Sequence, residues 1–243
     1  MLRHLGSKRT YAHNVKLAIL LATVAGFVNA AGFLAFATLT TNVTGHAALF
    51  AERLSLQDWS GMRVIALWML LFLAGAFVSS FIVARIGKNQ RFSYVIPIIV
   101  EAGILLVVGL EGHRYDNSLV SKELFAGSLL FAMGLQNALV SMISGSVVRT
   151  THLTGTFTDL GIELAQLFDK AGKNIIALRS KIKLRMAIIF FFMAGALAGA
   201  YLFRYAHFLA FFMPVATLLY VLLYDIFRIR FRRMYRQWRT INS

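Results

Sequence analysis

The chain has 243 residues, of which 58% are hydrophobic and 14% charged, and it carries a formal net charge of +15 with no cysteine. Ordinary soluble domains are about 45–50% apolar and about 25% charged, so this composition excludes a typical soluble fold and favours a membrane protein. The lack of cysteine excludes disulfides, thiolate metal sites and cysteine nucleophiles.

Six stretches with at most one charged residue follow in chain order, each close to the roughly 20 residues that a helix needs to cross hydrocarbon. They cover residues 17–39, 64–84, 92–110, 124–148, 186–203 and 205–224. Because the backbone must satisfy its own hydrogen bonds in lipid, we expect each stretch to be a helix. The predicted fold class is therefore all-α, a polytopic transmembrane bundle of six spans.

The distribution of basic residues predicts the orientation of these spans. Of the 25 Lys and Arg residues, 20 lie in the segments 1–16, 85–91, 149–185 and 228–239, which six crossings place on one side of the membrane. Lys and Arg accumulate in cytoplasmic loops. We therefore expect both termini in the cytoplasm, with residues 1–16 as the N-terminal segment and 227–243 as a basic tail.

Three motifs recur in the same order in the second half of the chain. Residues 25–30 match 133–138, residues 41–46 match 151–156, and residues 72–76 match 192–196, at offsets of 108, 110 and 120. We interpret the chain as two three-helix repeats, 17–110 and 124–226, joined by an extracytoplasmic linker at 111–123. An odd number of crossings per copy inverts the second copy, an arrangement frequent in secondary transporters. Simple duplication of a packing unit, as in a channel or scaffold, is the alternative.

These motifs resemble the YoaK-type family of bacterial multi-pass membrane proteins, a domain of unknown function. The similarity spans nearly the whole chain, and its most specific carriers are the stretches 42–46, 133–138 and 150–156. The family commonly has Asp at the position of Asn29 and Asn at the position of His46. The resemblance implies a six-span fold in the bacterial inner membrane and a transporter-like activity.

The two threonine-rich motifs each lead into a segment of helical periodicity, and the second segment predicts a cytoplasmic amphipathic helix near 155–168. On this helix Phe157, Leu164 and Phe168 fall on one face, with Asp159 and Glu163 on the other. Free backbone amides at such a helix start can be capped by hydroxyls or can bind an anion. If the motifs enter the membrane they line a site, since non-helical backbone there requires protein or water around it. The alternative is that Thr44 and Thr154 only cap interfacial helices.

Polar residues inside the spans complete the predicted site. Asn29 and Asn137 occupy matching places in the first and fourth spans, and Gln136 widens the polar surface of the fourth. Glu101, the one acid deep in a span, is the candidate for coupling to a proton or cation. The predicted solute-binding residues are Asn29, Asn42, Thr44, Gly45, Gln136, Asn137, Thr151, His152, Thr154 and Gly155.

Other chemistry is not supported by the sequence. His46 and His152 lie near the repeated motifs, but no spacing matches a zinc site, so neither metal nor cofactor is expected. Neither a nucleophile elbow nor a phosphate-binding loop occurs, so the chain is not expected to be an enzyme. Gly75 and Ser79 match Gly195 and Gly199, and this small-residue spacing indicates close helix packing or a subunit contact in a homodimer.

Six arginines between 228 and 239 alternate with apolar and aromatic residues after the last span. Their position beside a cytoplasmic span predicts contact with anionic lipid headgroups rather than with nucleic acid. Taken together, the sequence favours a secondary transporter or facilitator of a small polar solute, working by alternating access between the repeats. A small channel or a non-transporting membrane scaffold is the alternative.

Overall fold

The computed structural model describes residues 11–87, 92–144, 148–168 and 175–224, with only the backbone at 11–14 and 92. Within these ranges the chain is helical and contains no strand. The helices are α1 Tyr11–Phe36, α2 Val43–Ser55, α3 Trp59–Ile86, α4 Phe92–Glu111, α5 Leu119–Ser144, α6 Leu153–Phe168, α7 Ile175–Ala206, and α8 over residues 212–224. The predicted all-helical class is confirmed.

Short 3₁₀ turns and side-chain caps define the helix ends. The Asn42 side chain accepts a hydrogen bond from the backbone N–H of Gly45 at the start of α2, and the Asp58 side chain accepts one from Gly61 at the start of α3. Both are ordinary N-caps that satisfy donors left free in the first turn. α1 ends three residues before the predicted span does, because Ala37 takes a positive φ of 52° and the chain leaves the helix there.

Two pairs of long helices form the centre of the bundle: α1 packs along α7, and α3 along α5. A Cβ on Gly26 of α1 would meet the carbonyl oxygen of Phe192 on α7, and one on Gly134 of α5 would meet that of Phe72 on α3. Glycine is needed at both places because the facing backbones leave no room for a side chain. The two contacts are equivalent in the sequence repeat, since Gly134 follows Gly26 by 108 residues and Phe192 follows Phe72 by 120.

The helices in each central pair run in the same direction. Gly195 packs on the backbone of Thr23 and Gly199 on that of Phe27, so four residues along α7 correspond to four along α1. Gly127 similarly faces Leu71, and four residues further on Phe131 faces Gly75. The small-residue spacing predicted for packing therefore serves contacts inside this chain.

The chain reverses direction between α7 and α8. His207 has a positive φ of 48° at the start of the 3₁₀ turn His207–Phe211. Within the turn, the Phe208 ring lies 5.8 Å from that of Phe36 at one end of α1, whereas Lys16 Nζ lies 5.8 Å from the centre of the Tyr224 ring at the other end. Residues 208–224 thus run antiparallel to α1 and to α7.

Five helical segments among the described residues are long and apolar enough to cross a membrane: Val15–Phe36, Trp59–Ile86, Ser93–Arg114, Leu119–Ser144 and Ile175–Tyr224. The last contains both spans that the sequence predicted at its C-terminal end, 186–203 and 205–224. The prediction of a multi-pass membrane protein is confirmed at this level. The six arginines of the predicted lipid-binding tail lie outside the described residues.

The outward surfaces of α3 and α7 carry matching rows of large apolar side chains. Leu70 and Phe77 on α3 are 60% and 65% exposed, and Phe190 and Leu197 on α7 are 65% and 57% exposed. These residues are again related by the offset of 120. Exposed apolar rows of this size suit contact with lipid rather than water.

Candidate solute-binding site

The first threonine-rich motif is held against the interior of α1. The side-chain oxygen of Asn29 accepts hydrogen bonds from the backbone N–H of Thr41 at 3.1 Å and from its hydroxyl at 3.0 Å. Asn29 lies seven residues before the end of α1 at Phe36, or about 10 Å along the helix. The chain therefore turns back alongside α1 after leaving it.

The first turn of α2 follows directly from this docked segment. Asn42 and Thr44 are exposed, and Gly45 is half-buried beneath the Asn42 side chain. The cap of α2 is Asn42, so the interpretation of Thr44 as the capping residue is wrong. Three of the predicted solute-binding residues thus form one helix start, next to the contact between Asn29 and Thr41.

His46 fixes α2 to the preceding loop and to α3. Its Nε2 lies 2.8 Å from the backbone oxygen of Leu39, so Nε2 carries the proton of the neutral ring, and the ring packs edge-on against Trp68 with 5.7 Å between centroids. Burial lowers the pKa of His46, and the bond to the Leu39 carbonyl opposes this shift. The neutral ring is therefore a structural clamp in this position.

The second threonine-rich motif is held by Gln136, which is fully buried in α5. Its side-chain nitrogen donates to the backbone oxygen of Leu21 on α1 at 3.0 Å and to the hydroxyl of Thr150 at 3.3 Å. Since the Leu21 carbonyl only accepts, these contacts fix which end of the amide faces it. The Gln136 side-chain oxygen has no partner among the described residues.

Gln136 lies eight residues before the end of α5 at Ser144, or about 12 Å along the helix. The hydrogen bond to Thr150 therefore shows that the chain turns back along α5, as it does along α1 after Phe36. Ser144 assists the reversal, because its hydroxyl accepts from the backbone N–H of Val148 at 2.9 Å. Both motifs share this return path.

The contact that corresponds to Asn29 and Thr41 is missing in the second half. By the repeat offsets, its members are Asn137 and Thr151. The Asn137 side-chain oxygen is buried and has no hydrogen-bond partner among the described residues. Thr151 is also buried, with 9% of its surface exposed. The two halves thus have the same path but a different pattern of hydrogen bonds.

A cleft of about 280 Å³ opens beside the second motif. It is lined by Arg149, His152, Gly155, Thr156, Asp159 and Arg185. Two of these, His152 and Gly155, are predicted solute-binding residues, and the His152 ring occupies the space where a Gly155 side chain would lie. The Thr156 hydroxyl donates to the His152 carbonyl at 2.9 Å and so stabilises the first turn of α6. Thr154 is the second residue of α6, so it does not occupy the N-cap position.

The helix α6 turns its acidic face towards the protein. Arg185 of α7 lies 2.9 Å from a carboxylate oxygen of Asp159 and 3.7 Å from one of Glu163. The residues on the opposite side, Phe157 and Phe168, are 54% and 85% exposed. The prediction of an amphipathic helix is correct, and the face that contacts the protein through Arg185 is the acidic one.

Glu101 is fully buried near the middle of α4. Neither carboxyl oxygen has a hydrogen-bond partner among the described residues, and no ion pair links it to either motif in that part of the chain. The structure therefore brings Gln136, Thr150 and the second motif together, and Asn29 with the first motif, but it shows no hydrogen bond from Glu101 to either motif among the described residues.

Sequence reasoning missed Thr41 and Thr150, which make the contacts to the spans, and it missed Arg149 and Arg185 at the cleft. Each threonine lies directly beside a predicted site residue, so the motifs contained the signal. The acidic residues of α6 indicate a basic partner such as Arg185 only if the apolar face of α6 is recognised as the one that points away from the protein.

This combination defines a class: a multi-helix membrane protein in which two polar loops return to side chains inside the long helices. Within that class, the chain belongs to a family described as proteins of unknown function (DUF1275), whose model matches residues 17–224. The resemblance drawn from the repeated motifs is thus confirmed. Neither a curated protein nor a solved structure matches the chain.

Proposed function

We propose that this protein is a secondary transporter or facilitator of a small polar solute, built from two inverted three-helix repeats with six crossings and with both termini in the cytoplasm. The observation that carries the proposal is the paired return of the two threonine-rich segments to polar side chains inside α1 and α5. Non-helical backbone inside a membrane requires protein or a water-filled cavity around it, and transporters place such segments at the substrate site.

The inverted arrangement is supported by matching contacts in the two halves. Gly26 and Gly134 meet the carbonyls of Phe192 and Phe72, and both members of each contact are related by the repeat offsets. The exposed apolar rows on α3 and α7 obey the same offset. The reversal between α7 and α8 supports counting the segment Ile175–Tyr224 as two crossings, since 50 helical residues would extend about 75 Å and a bilayer core is about 30 Å thick.

The embedding of α6 supports a membrane depth for the second motif. A helix lying in water would bury its phenylalanines, whereas α6 leaves Phe157 and Phe168 54% and 85% exposed and buries Glu163, with the Asp159 side chain 48% exposed. In this proposal the apolar face of α6 lies against lipid at the edge of the hydrocarbon, with Thr154 exposed in its first turn.

The dimensions and polarity of the site support a small polar solute. The cleft of about 280 Å³ is just below the range of roughly 300–1,000 Å³ typical of pockets for drug-sized ligands. It is lined by charged and hydroxyl-bearing side chains, and Thr150 connects the loop at its edge to the buried amide of Gln136. In this proposal Glu101 carries the proton or cation that couples to transport.

The experiment that tests the function begins with the purified protein in detergent. Amino acids, other carboxylates, polyols and inorganic anions are screened for an increase in apparent melting temperature, because a ligand that binds only the folded state stabilises it by about 2.7 kcal/mol at 100 times its dissociation constant. The best solute is then radiolabelled and its uptake is measured in proteoliposomes with and without the same unlabelled solute inside.

We expect saturable uptake that is accelerated by internal unlabelled solute, as a carrier requires. Gln136→Ala should reduce uptake at least about 10-fold, since it removes buried hydrogen bonds at the site. Glu101→Gln should remove the dependence of uptake on a proton or cation gradient. Gly103→Ala is the control on the same helix as Glu101, because its added methyl group would meet open space. Uptake that does not saturate and shows no exchange would indicate a channel, and the lack of any stabilising solute would indicate a scaffold.

A further inference from the structure

The cleft beside the second threonine-rich motif carries charges of both signs. Its lining includes two arginines and one aspartate, Arg149, Arg185 and Asp159. Arg185 lies 2.9 Å from a carboxylate oxygen of Asp159 and 3.7 Å from one of Glu163. Among these described residues two positive and two negative charges cancel, so the cleft is charged locally but has no formal net charge.

Arg149 is the positive charge that a solute can reach. Its side chain is exposed, and it forms no ion pair within the part of the chain that the structure describes. Its two neighbours are fully buried and attached to α5. The backbone N–H of Val148 donates to the Ser144 hydroxyl at 2.9 Å, and the Thr150 hydroxyl accepts from Gln136 at 3.3 Å. An arginine whose backbone is already fixed loses less freedom when it binds a ligand, and this favours affinity.

Asp159 is the negative charge that a solute can reach. Arg185 holds one of its carboxylate oxygens at 2.9 Å, while the side chain remains 48% exposed. A carboxylate has about four acceptor positions on its two oxygens, so this contact leaves room for a further donor. Arg185 therefore orients the Asp159 carboxylate without occupying it fully.

The size and the charges of the cleft select among polar solutes. Its volume of about 280 Å³ corresponds to roughly nine water molecules at about 30 Å³ each, so the solute is small. A simple anion would pair with Arg149 but would meet the like charge of Asp159, and a simple amine would meet the arginines. A solute with one group of each sign can pair with both residues.

We infer that the cleft binds a small zwitterion such as a free amino acid, with the solute carboxylate on the Arg149 guanidinium and the solute ammonium on the Asp159 carboxylate. Arginine suits the first contact because its planar guanidinium can hold both oxygens of a carboxylate. Arg185 is a positioning residue, since it acts through Asp159. The inference rests on the proposed function, because it names the class of solute that the proposed transporter takes at this site.

The test measures binding to the purified full chain in detergent and needs no transport. Glycine, L-serine and L-glutamine are the zwitterionic probes. Acetate is glycine without its amine, methylamine is glycine without its carboxylate, and phosphoethanolamine represents the headgroup of a zwitterionic lipid. The apparent melting temperature is followed over a concentration series of each probe at constant ionic strength, and its rise gives the dissociation constant.

We expect at least one of the three amino acids to stabilise the protein. Acetate and methylamine should bind at least about 10-fold more weakly than that amino acid, since each loses one charge-assisted contact. Equal binding of acetate would show an anion site, equal binding of methylamine a cation site, and tighter binding of phosphoethanolamine a lipid site. Each of these results would overturn the inference.

Two variants test the assigned residues, and both are compared with their own unliganded melting temperatures. Arg149→Gln should weaken amino acid binding at least about 10-fold and leave methylamine binding no weaker. Asp159→Asn should weaken amino acid binding by a similar factor but tighten acetate binding, because a negative charge is removed. A residue that only supported the fold would not reverse this selectivity. The control is Arg179→Gln, which removes an exposed charge of α7 that does not line the cleft, and it should change neither constant.

Unchanged amino acid binding in Arg149→Gln overturns the inference, and this variant decides alone if Asp159→Asn does not yield folded protein. A lack of stabilisation by all three amino acids overturns it as well. The proposed transport function is judged separately, by the wider solute screen and by uptake. An anion or polyol that binds and is transported would leave that function standing and refute only the zwitterion.

Discussion

Substitution of two closely packed glycines tests the repeat at atomic detail. Gly26→Ala places a methyl group on the carbonyl oxygen of Phe192, and Gly134→Ala places one on that of Phe72. Because these obstacles are backbone atoms, they cannot rotate away as a side chain would, and the paired helices must move apart. Gly103→Ala on α4 is the matched control, with no heavy atom within 4 Å of the new methyl group.

Overpacking of this kind costs roughly 1–3 kcal/mol, whereas replacing glycine by alanine in a helix returns up to about 1 kcal/mol. The two packed variants should therefore each lose about 1–2 kcal/mol, and Gly103→Ala should gain up to about 1 kcal/mol. For a chain of this size that corresponds to roughly 2–8 °C lower and up to about 4 °C higher apparent melting temperatures.

The assay is the fraction of detergent-solubilised protein that stays monodisperse after heating, at one heating rate for all variants because unfolding of membrane proteins is often irreversible. Equal losses for Gly26→Ala and Gly134→Ala are the expected result. If one variant loses more than about twice as much as the other, or if either is as stable as Gly103→Ala, the paired close approach is wrong.

Two further predictions concern the clamps of the short helices. Burial lowers the pKa of His46, so the unfolded chain binds a proton more readily than the folded chain. The stability that the neutral ring contributes is therefore lost as pH falls below the unfolded pKa of about 6.5. His46→Gln should reduce the fall in melting temperature between about pH 7.5 and about pH 5.5, whereas His113→Gln, a control at an exposed position, should not. Arg185→Leu leaves the carboxylates of Asp159 and Glu163 without their cationic partner on α6 and should lower the free energy of unfolding by about 2–3 kcal/mol. Adding Asp159→Asn and Glu163→Gln to this variant should restore most of the lost melting temperature.

The helical membrane class could be predicted from the sequence because long apolar stretches leave few alternatives in lipid. The sequence also indicated which glycines are equivalent in the two halves, since the match of residues 25–30 with 133–138 contains Gly26 and Gly134. It could not indicate that Gly26 faces α7 and Gly134 faces α3. Small residues allow close approach, but any helix can supply the partner.

The site was predicted less completely for two physical reasons. Hydrogen bonds such as that of Gln136 to Thr150 depend on how far the chain turns back after α5, and residue type does not fix that distance. The sequence does not indicate which face of α6 contacts the protein, because apolar faces point inward in water and outward in lipid. In the structure the acidic face contacts the protein, through Asp159 and Glu163 with Arg185.

The sidedness of the two threonine-rich motifs is the most direct test of the central claim, that they belong to inverted repeats. Thr44→Cys and Thr154→Cys are equivalent in the two halves, both are exposed, and each would be the one thiol in a chain without native cysteine. With a membrane-impermeant maleimide, we expect Thr44→Cys to react only from outside the cell and Thr154→Cys only from the cytoplasmic side, in right-side-out and inside-out vesicles respectively. Reaction of both thiols from the same side would contradict the inverted arrangement and the transport mechanism that depends on it.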